Sequence, residues 1–376
     1  MSTIKVNRIE NTSTTDGGVS IDVDGHVTID GQQLPTAGPL SNRNIVINGG
    51  MTVCQRFALN TANNINNATH TYHVDRFKAY NDNTGILQSE WVNTEFPEGF
   101  RYSLKYTPAT ADTSMGTSQQ SFISYVIEEK DFERFRWGTS DAQQLTLSFK
   151  VKTNKAGTYC VSFFNANTFN RYYITEVSIT DTTNWNDVTI TVPGDTTGTW
   201  SMMRINWTLA AASNLQGSAD TWGAGALYST SNQVNFMDST SNEFYITGVQ
   251  LEVGSKATPF EHESYGQTLA KCQRYFYTVR GNQFAKFASI FTNNSTGSWL
   301  PLSLPVPLRS SPTVTFNNIA TGRSGTTVSQ GDISTINFAG AHLSLDLSSN
   351  YSIPNDSSDI VQLRESYGTF NLDADL

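Results

Sequence analysis

The chain has 376 residues, with 24 Lys and Arg against 33 Asp and Glu, which gives a formal net charge of −9 and a pI near 5.0. This acidity argues against a function that depends on neutralising nucleic-acid phosphates or anionic membranes. Only 15% of the residues are charged and 38% are hydrophobic. Such a composition favours short strands joined by polar turns, in an elongated oligomer whose subunits bury surface against one another.

Residues 1–40 read as a separate polar leader. The opening MSTIKVNRIE lacks the apolar core of a signal peptide, so we expect synthesis in the cytoplasm. The alternating runs GVSIDV and HVTI flank Asp24-Gly25, a dipeptide that favours the positive φ angles of a tight hairpin turn. A hairpin this small is not stable alone, so we expect the leader to dock on sister subunits or on another protein.

Residues 41–262 predict an antiparallel β-sandwich of the jelly-roll kind. The segment LTLSFKV alternates apolar and polar residues, and the same period of two recurs in TYCVSF and DVTITV. This is the pattern of a strand with one buried face. Strands of this kind follow one another without intervening helices, which argues against a parallel α/β sheet. In GVQLEVGSKATPFE, Val249, Leu251 and Val253 predict the last strand of the sandwich, and Pro259 prevents its continuation.

Residues 263–277 predict a short connecting helix. In HESYGQTLAKCQRYF, Ser264 and Gln267 have the spacing of a capping box, and apolar residues recur every three or four positions. Residues 278–376 predict a smaller β-sandwich domain. The four prolines of PLSLPVPLRSSP restrict that segment to an edge strand or an extended linker. The acidic end, residues 371–376, is expected to fray.

Several segments resemble bacteriophage and prophage tail-fibre proteins in order and spacing. They are NRNIVINGGMTVCQRF, YHVDRFK at Tyr72–Lys78, NWNDVTITVPGDTTGTW, and FYITGVQLEVGSKATPFEHESYGQTLAKCQRYF at Phe244–Phe276. The leader is similar to the start of fibres from marine and cyanobacterial phages. The resemblance implies a homotrimer with a carbohydrate-binding-module-like jelly roll. Its N-terminus would face the virion and its C-terminus the host, which would make residues 278–376 the tip domain.

The resemblance and the β architecture together predict a viral tail fibre, a component of the virion that attaches the particle to a bacterial host. The expected receptor is a host surface polysaccharide or lipopolysaccharide, and the expected virion partners of residues 1–40 are other tail proteins. We expect neither nucleic-acid binding nor membrane insertion, since no apolar run approaches the ~18 residues of a membrane span. Two alternatives remain: a purely structural tail, baseplate or head-decoration fibre, and a glycan-degrading tailspike.

The sequence carries no recognisable catalytic motif, so we expect no enzymatic activity, no metal and no cofactor. There is no G-x-S-x-G, no P-loop and no H-E-x-x-H. The acidic run EEKDFER mixes both charge signs, which favours a solvated loop or edge strand over a glycosidase pair. His70, His73 and Asp75 are too few for a metal site, and the resemblance implies a structural salt link at Asp75-Arg76. Three scattered cysteines indicate free, buried thiols.

Exposed aromatic rings are the candidate glycan contacts, because the apolar faces of sugars stack on them. Trp222 and Tyr228 lie in the Gly-rich segment DTWGAGALYST. Trp299 and Tyr351 lie beside predicted turns of the C-terminal domain. Burial in a trimer interface is the competing explanation for each of the four.

Overall fold

The structure is a computed structural model that describes residues 8–10, 18–21, 27–29, 32–33, 42–66, 68, 70–82, 84–280, 286–293, 297–317, 319–321, 327–328, 333–347, 358–363 and 369–375. Its regular structure is almost entirely antiparallel β, which confirms the predicted all-β sandwich class. The chain divides into two compact units. The first comprises residues 1–50, 62–70 and 79–262, and the second comprises residues 51–61, 71–78 and 263–376.

The first unit begins with four short strands, β1 (Arg8–Glu10), β2 (Gly18–Ile21), β3 (Val27–Ile29) and β4 (Gln32–Gln33), which form one sheet in chain order. Val19 pairs with Ile29 and Ile21 with Val27, so the predicted hairpin pairing is confirmed. The turn itself, with Asp24-Gly25, lies outside the described residues.

The next strands along the chain are β5 (Asn63–Ile65), β6 (Thr71–Val74), β7 (Phe77–Asp82), β8 (Ile86–Val92), β9 (Ser103–Thr110), β10 (Gln120–Ile127), β11 (Leu145–Thr153), β12 (Gly157–Asn165), β13 (Arg171–Ile179), β14 (Asn186–Val192), β15 (Met203–Ala211), β16 (Trp222–Ala224) and β17 (Phe244–Val253). Apart from β6, whose residues belong to the second unit, these strands make two sheets within the first unit. The front sheet has the order β16–β13–β12–β15–β10–β7, and the back sheet has the order β14–β11–β17–β9–β8–β5.

The core of the first unit lies between these two sheets. Along β11, the apolar residues of the alternating pattern are the buried ones, as the sequence predicts. Phe149 of the back sheet meets Trp207 of the front sheet with ring centroids 5.9 Å apart and planes 86° apart. Removing side chains of this size from water contributes ~1.5–3 kcal/mol each. This burial holds the two sheets face to face.

The polar residues of GVQLEVGSKATPFE close the chain around the end of β17. The Glu261 carboxylate accepts hydrogen bonds from the backbone amides of Asn42, Arg43 and Asn44, at 2.7, 2.7 and 2.9 Å. Burial opposes its ionisation, but these bonds outweigh burial and lower the pKa of Glu261. Gln250 accepts from the Glu261 amide at 2.8 Å. The segment is therefore structural, and its Val249 and Leu251 are fully buried as predicted.

Helical structure in the described part of the first unit is confined to α1 (Glu129–Phe132) and the 3₁₀ turns Glu133–Phe135, Ser213–Leu215 and Phe236–Asp238. The prediction of a loop or edge strand for the acidic run EEKDFER is therefore wrong. Phe132 and Phe135 are three positions apart and are 3% and 0% exposed. A helical turn brings residues at that spacing to one side, so their burial favours the turn over an extended chain.

The described residues of the second unit include α2 (Tyr265–Gln273) and ten further strands. Ser264 and Gln267 form the predicted capping box, which confirms the connecting helix. The strands are β18 (Phe276–Arg280), β19 (Lys286–Asn293), β20 (Gly297–Ser303), β21 (Thr313–Asn317), β22 (Ile319–Thr321), β23 (Thr327–Val328), β24 (Ile333–Ala339), β25 (His342–Leu347), β26 (Ser358–Leu363) and β27 (Thr369–Asp373).

These strands form two sheets, ordered β18–β27–β21 and β23–β22–β26–β19–β20–β25–β24. The proline-rich segment is not confined to an edge, because β20 lies between β19 and β25. The described pairing with β19 covers Gly297 to Trp299, and Pro301 pairs with Ser344 of β25. The missing amide hydrogen of Pro301 thus falls beyond the end of the β19 ladder.

The expected fraying of residues 371–376 is also wrong for the residues described. β27 is the middle strand of its sheet, with β18 on one side and β21 on the other. The Ala374 amide donates to the Tyr275 carbonyl at 2.7 Å. The Asp375 carboxylate accepts from Arg56 at 2.5 Å and from Arg76 at 3.0 Å. Two arginines from distant parts of the chain therefore anchor the acidic C-terminal segment through buried ion pairs.

Candidate functional site

An aromatic cavity of about 430 Å³ opens at one end of the sandwich of the first unit. We call it the tryptophan cleft. Its wall is aromatic and its rim is charged. The lining residues are Glu129, Phe132, Glu133, Arg136, Trp137, Thr139, Asp141, Trp200 and Ser201.

Two loops and one helical turn position this lining. The turn of α1 buries Phe132 and leaves Glu129 exposed beside the cavity. Gly138 follows with φ +86°, and a Cβ atom there would lie 2.5 Å from the Gly198 carbonyl oxygen. Such a distance is too short for any side chain, so only glycine allows the two loops to approach this closely. The approach brings Trp137 and Trp200 together.

The rings of the cleft interlock. Trp200 stacks on Phe132 at 5.8 Å with planes 20° apart, and it meets Trp137 edge-on at 5.0 Å. Trp222 contacts Trp137 at 5.1 Å and Trp200 at 5.7 Å, both near right angles. Edge-to-face and offset-stacked pairs add ~0.5–1.5 kcal/mol each beyond area burial. The wall is therefore rigid before any ligand arrives.

A buried carboxylate fixes the orientation of Trp200. Asp195 is 2% exposed and accepts two hydrogen bonds from Arg171, each 2.8 Å long. It also accepts from the indole N–H of Trp200 at 3.0 Å. Burial opposes the charge, but the bonds from Arg171, Thr197 and Trp200 outweigh burial and lower the pKa of Asp195. The bidentate ion pair thus holds one ring of the cleft in place.

The rim supplies polar groups of both signs. Arg136 and Asp141 form an ion pair with both side chains more than half exposed. Glu129 and Glu133, also exposed, lie at the same rim. Carboxylates accept hydrogen bonds and a guanidinium donates them. An aromatic wall with such a rim can bind a neutral ligand that has an apolar face and several hydroxyl groups.

The four predicted glycan contacts have different locations. Trp222 packs against Trp137 and Trp200 but does not itself line the cavity. It is half-buried, and its indole N–H donates to the Pro193 carbonyl at 3.2 Å. Tyr228 lies apart from the cleft lining and contacts Phe122 and Phe164. Trp299 lies in β20, with its side chain outside the described residues. Tyr351 also lies outside them.

Sequence reasoning missed the central rings of the cleft. Phe132 and Trp137 belong to FERFRW, which reads as a charged segment, and Trp200 ends NWNDVTITVPGDTTGTW, which reads as a structural block. The available signal was the clustering of aromatic residues beside Gly138 and Gly198 in turn-rich segments. That signal does not show that the two segments meet.

The remaining histidines, cysteines and carboxylates are candidate metal ligands. No group of three or more His, Cys, Asp or Glu in the described part of the chain is arranged to hold a metal ion. His70 contacts Tyr80, whereas His73 stacks on Phe57 and has its pKa lowered to about 3 by burial and by Arg56. The three cysteines are free: Cys160 and Cys272 are buried as predicted, and Cys54 is half-buried. No described helix has the length and apolarity to cross a membrane.

No protein-family model and no curated protein sequence matches the chain. Among solved structures it is similar to the N-terminal CBM22-1-CBM22-2 tandem domain of Paenibacillus barcinonensis Xyn10C, with 8% identity, TM-score 0.28, and coverage of 85% of this chain and 98% of that one. A CBM4 structure is 13% identical, with TM-score 0.25 and coverage of 44% and 78%. The enzymatically active domain of bacteriophage CBA120 tailspike protein 4 is 11% identical, with TM-score 0.27 and coverage of 56% and 22%. Similarities this weak carry no argument about a ligand or an activity. Any such argument rests on the tryptophan cleft.

Proposed function

We propose that this chain is a tail-fibre protein of a bacterial virus and that its tryptophan cleft binds a glycan of the host surface. The observation that carries the proposal is the cleft itself, with a rigid aromatic wall and a polar rim around about 430 Å³. A pyranose ring has an apolar C–H face and a belt of hydroxyl groups, which complement the wall and the rim respectively. The volume lies within the usual range of small-molecule sites.

A single cleft of this kind is expected to bind weakly. The half-buried ring of Trp200 offers a stacking contact, and the exposed rim charges lose part of their hydrogen-bond energy to water. We therefore propose a homotrimer carried in several copies on the virion, because multivalency raises avidity without new contacts. Residues 1–40 are proposed to contact other tail proteins. The small leader sheet supports this assignment, since four strands of two to four residues have little core of their own.

Glycan cleavage is the second candidate function. Three carboxylates, those of Glu129, Glu133 and Asp141, line the same cleft, and glycosidases use two carboxylates beside the scissile bond. Release of reducing sugar from a polysaccharide that the protein binds would promote this candidate. Loss of release in Glu133→Gln, with binding retained, would assign the carboxylate a chemical role. Binding without release would leave the adhesin function.

The proposal is tested with the full-length protein on an array of bacterial surface polysaccharides and lipopolysaccharides. Truncating an anchoring ring costs ~2 kcal/mol, so Trp200→Ala should weaken binding about 30-fold. Glu133→Ala, an exposed rim change, should weaken binding without affecting the fold. Trp185→Ala is the matched control, since this half-buried ring lies on the back-sheet side and donates to Glu95 at 2.9 Å.

Three results would each contradict a part of the proposal. If the wild-type protein binds no glycan on the array, the adhesin function is wrong and a purely structural fibre is favoured. If it binds but Trp200→Ala and Glu133→Ala bind as well as Trp185→Ala, the tryptophan cleft is not the site. A sedimentation mass near 41.4 kDa would contradict the trimer.

A further inference from the structure

The outer face of the front sheet carries a row of polar side chains. Trp207 points into the sandwich, where its ring meets Phe149. Its neighbour Asn206 therefore points to the opposite face, because successive residues of a strand alternate. Asn206 is paired with Ser124 of β10 and with Ser162 of β12. These three residues, which we call the polar row, thus lie side by side on three adjacent strands.

The polar row is fully buried, although its polar atoms are not paired. Each of the three residues has 0% exposure. The hydroxyls of Ser124 and Ser162, and both the Nδ2 and Oδ1 atoms of Asn206, have no hydrogen-bond partner among the residues that the structure describes. Buried polar groups without partners are costly and uncommon. Three adjacent positions that all retain such groups indicate a surface for ligand atoms that can both donate and accept.

The ring of Tyr228 contacts two rings that flank this row. Phe122 precedes Ser124 by two positions on β10, and Phe164 follows Ser162 by two positions on β12, so the two rings stand on opposite sides of the row. Tyr228 stacks on Phe122 at 5.5 Å with planes 11° apart and meets Phe164 edge-on at 5.1 Å. Since Tyr228 contacts both rings, it crosses the row between them.

Tyr228 is placed to act as a gate. Its backbone is anchored, with the Thr208 hydroxyl donating to its carbonyl at 2.8 Å and its amide donating to the Leu215 carbonyl at 2.9 Å. Its side chain is only half-buried. Rotation of the side chain about its own bonds therefore breaks neither backbone hydrogen bond.

We propose that the polar row and Tyr228 form a second, gated site that takes one pyranose ring of a glycan. Asn206 offers a donor and an acceptor, and each serine hydroxyl offers both, which matches vicinal sugar hydroxyls. Phe122, Phe164 and the displaced Tyr228 supply apolar faces for the sugar C–H groups. The ligand class rests on the proposed function, but none of these residues lines the tryptophan cleft.

The test is saturation-transfer NMR on the full chain with four probes: methyl α-D-glucopyranoside, methyl α-D-mannopyranoside, methyl β-D-galactopyranoside and methyl N-acetyl-β-D-glucosaminide. Trp200→Ala should keep transfer to at least one probe. Adding Asn206→Leu should abolish that transfer, and adding Ser162→Ala should reduce it. Tyr228→Ala should speed association, because no ring has to move before the sugar enters.

Protein stability provides an independent measurement. Asn206→Leu should not lower the melting temperature, since it removes no hydrogen bond to a described protein atom. Asn165→Leu is the matched control: Asn165 is equally buried but donates to the Thr199 carbonyl at 2.7 Å, so its replacement should lower the melting temperature. If Asn206→Leu does not fold, Ser162→Ala carries the binding test.

The outcomes separate the two sites. Transfer that persists unchanged when Asn206→Leu or Ser162→Ala is added to Trp200→Ala overturns the gated site. Transfer that survives Trp200→Ala and Glu133→Ala in full, but is lost in Asn206→Leu, overturns the cleft and leaves the gated site. Absence of transfer to all four probes in the wild-type protein overturns the gated site, and the polysaccharide array then decides the cleft by itself.

Discussion

Replacing Asp375 by asparagine should release the C-terminal strand of the second unit. The change keeps the shape of the side chain and removes its charge. Asp375 has a 3% exposed side chain and pairs with Arg56 and Arg76, whose side chains are 10% and 2% exposed. Burial opposes the charge on Arg56, but Asp375, Asp75 and Asp373 outweigh burial and raise its pKa. Both arginines stay charged when Asp375 loses its charge.

The expected loss follows from the burial of these charges. Removing one partner of a buried ion pair costs ~3–5 kcal/mol, because the remaining charge stays desolvated. Arg56 retains Asp75 at 3.5 Å and Asp373 at 3.2 Å, so the lower end, about 3 kcal/mol, applies. Asp373→Asn is the matched control: its side chain is 41% exposed, and an exposed pair is worth ~0–1 kcal/mol.

Hydrogen exchange of the peptide covering residues 369–375 measures this difference. A loss of about 3 kcal/mol in local stability corresponds to roughly 100-fold faster exchange at each protected amide, including the Ala374 amide bonded to Tyr275. Asp373→Asn should accelerate exchange by less than about fivefold. If the two variants exchange at similar rates, the buried charges do not hold the strand and the reasoning fails.

Two further predictions concern the pH dependence of stability and the effect of replacing glycine by alanine. Burial raises the pKa of Asp75 to about 6, although the charge of Arg56 partly opposes this rise. Between pH of about 4 and 6, Asp75 is therefore protonated in the folded second unit and ionised in the unfolded chain. The stabilisation from this proton is complete below pH of about 4 and is lost as pH rises through 6. The free energy of unfolding of the wild type should therefore fall between these pH values in unfolding titrations. An equal fall in Asp75→Asn would contradict the prediction. Gly49→Ala should destabilise the first unit by several kcal/mol, because its Cβ atom would lie 1.9 Å from the Val249 carbonyl oxygen. Gly266→Ala, in α2, should stabilise the second unit by ~0.5–1 kcal/mol, because a Cβ atom there meets nothing within 4 Å. Thermal melts measure both changes. Equal melting temperatures for the two alanine variants would refute the packing argument.

Local patterns in the sequence predicted the elements well. The period-two alternation in LTLSFKV identifies β11 and its buried face, because side chains of a strand alternate between two environments whatever the partner strand is. Ser264 and Gln267 identify the start of α2, because both bonds of a capping box form within one turn. The resemblance to tail fibres led us to expect a homotrimer, a place in the virion and a glycan ligand, and these three remain proposals.

The sequence by itself thus determined the strands, the connecting helix and the acidic, low-charge surface of this protein, since each depends on residues near one another in the chain. The tertiary structure decided which segments meet. Arg56 and Arg76 reach Asp375 across about 300 positions. Trp137 meets Trp200 because Gly138 lets two loops touch, and Asn206 meets Ser124 and Ser162 only through strand order. Alternation shows that a face is buried, but not what covers it, so the tryptophan cleft and the polar row could be found only in the folded chain.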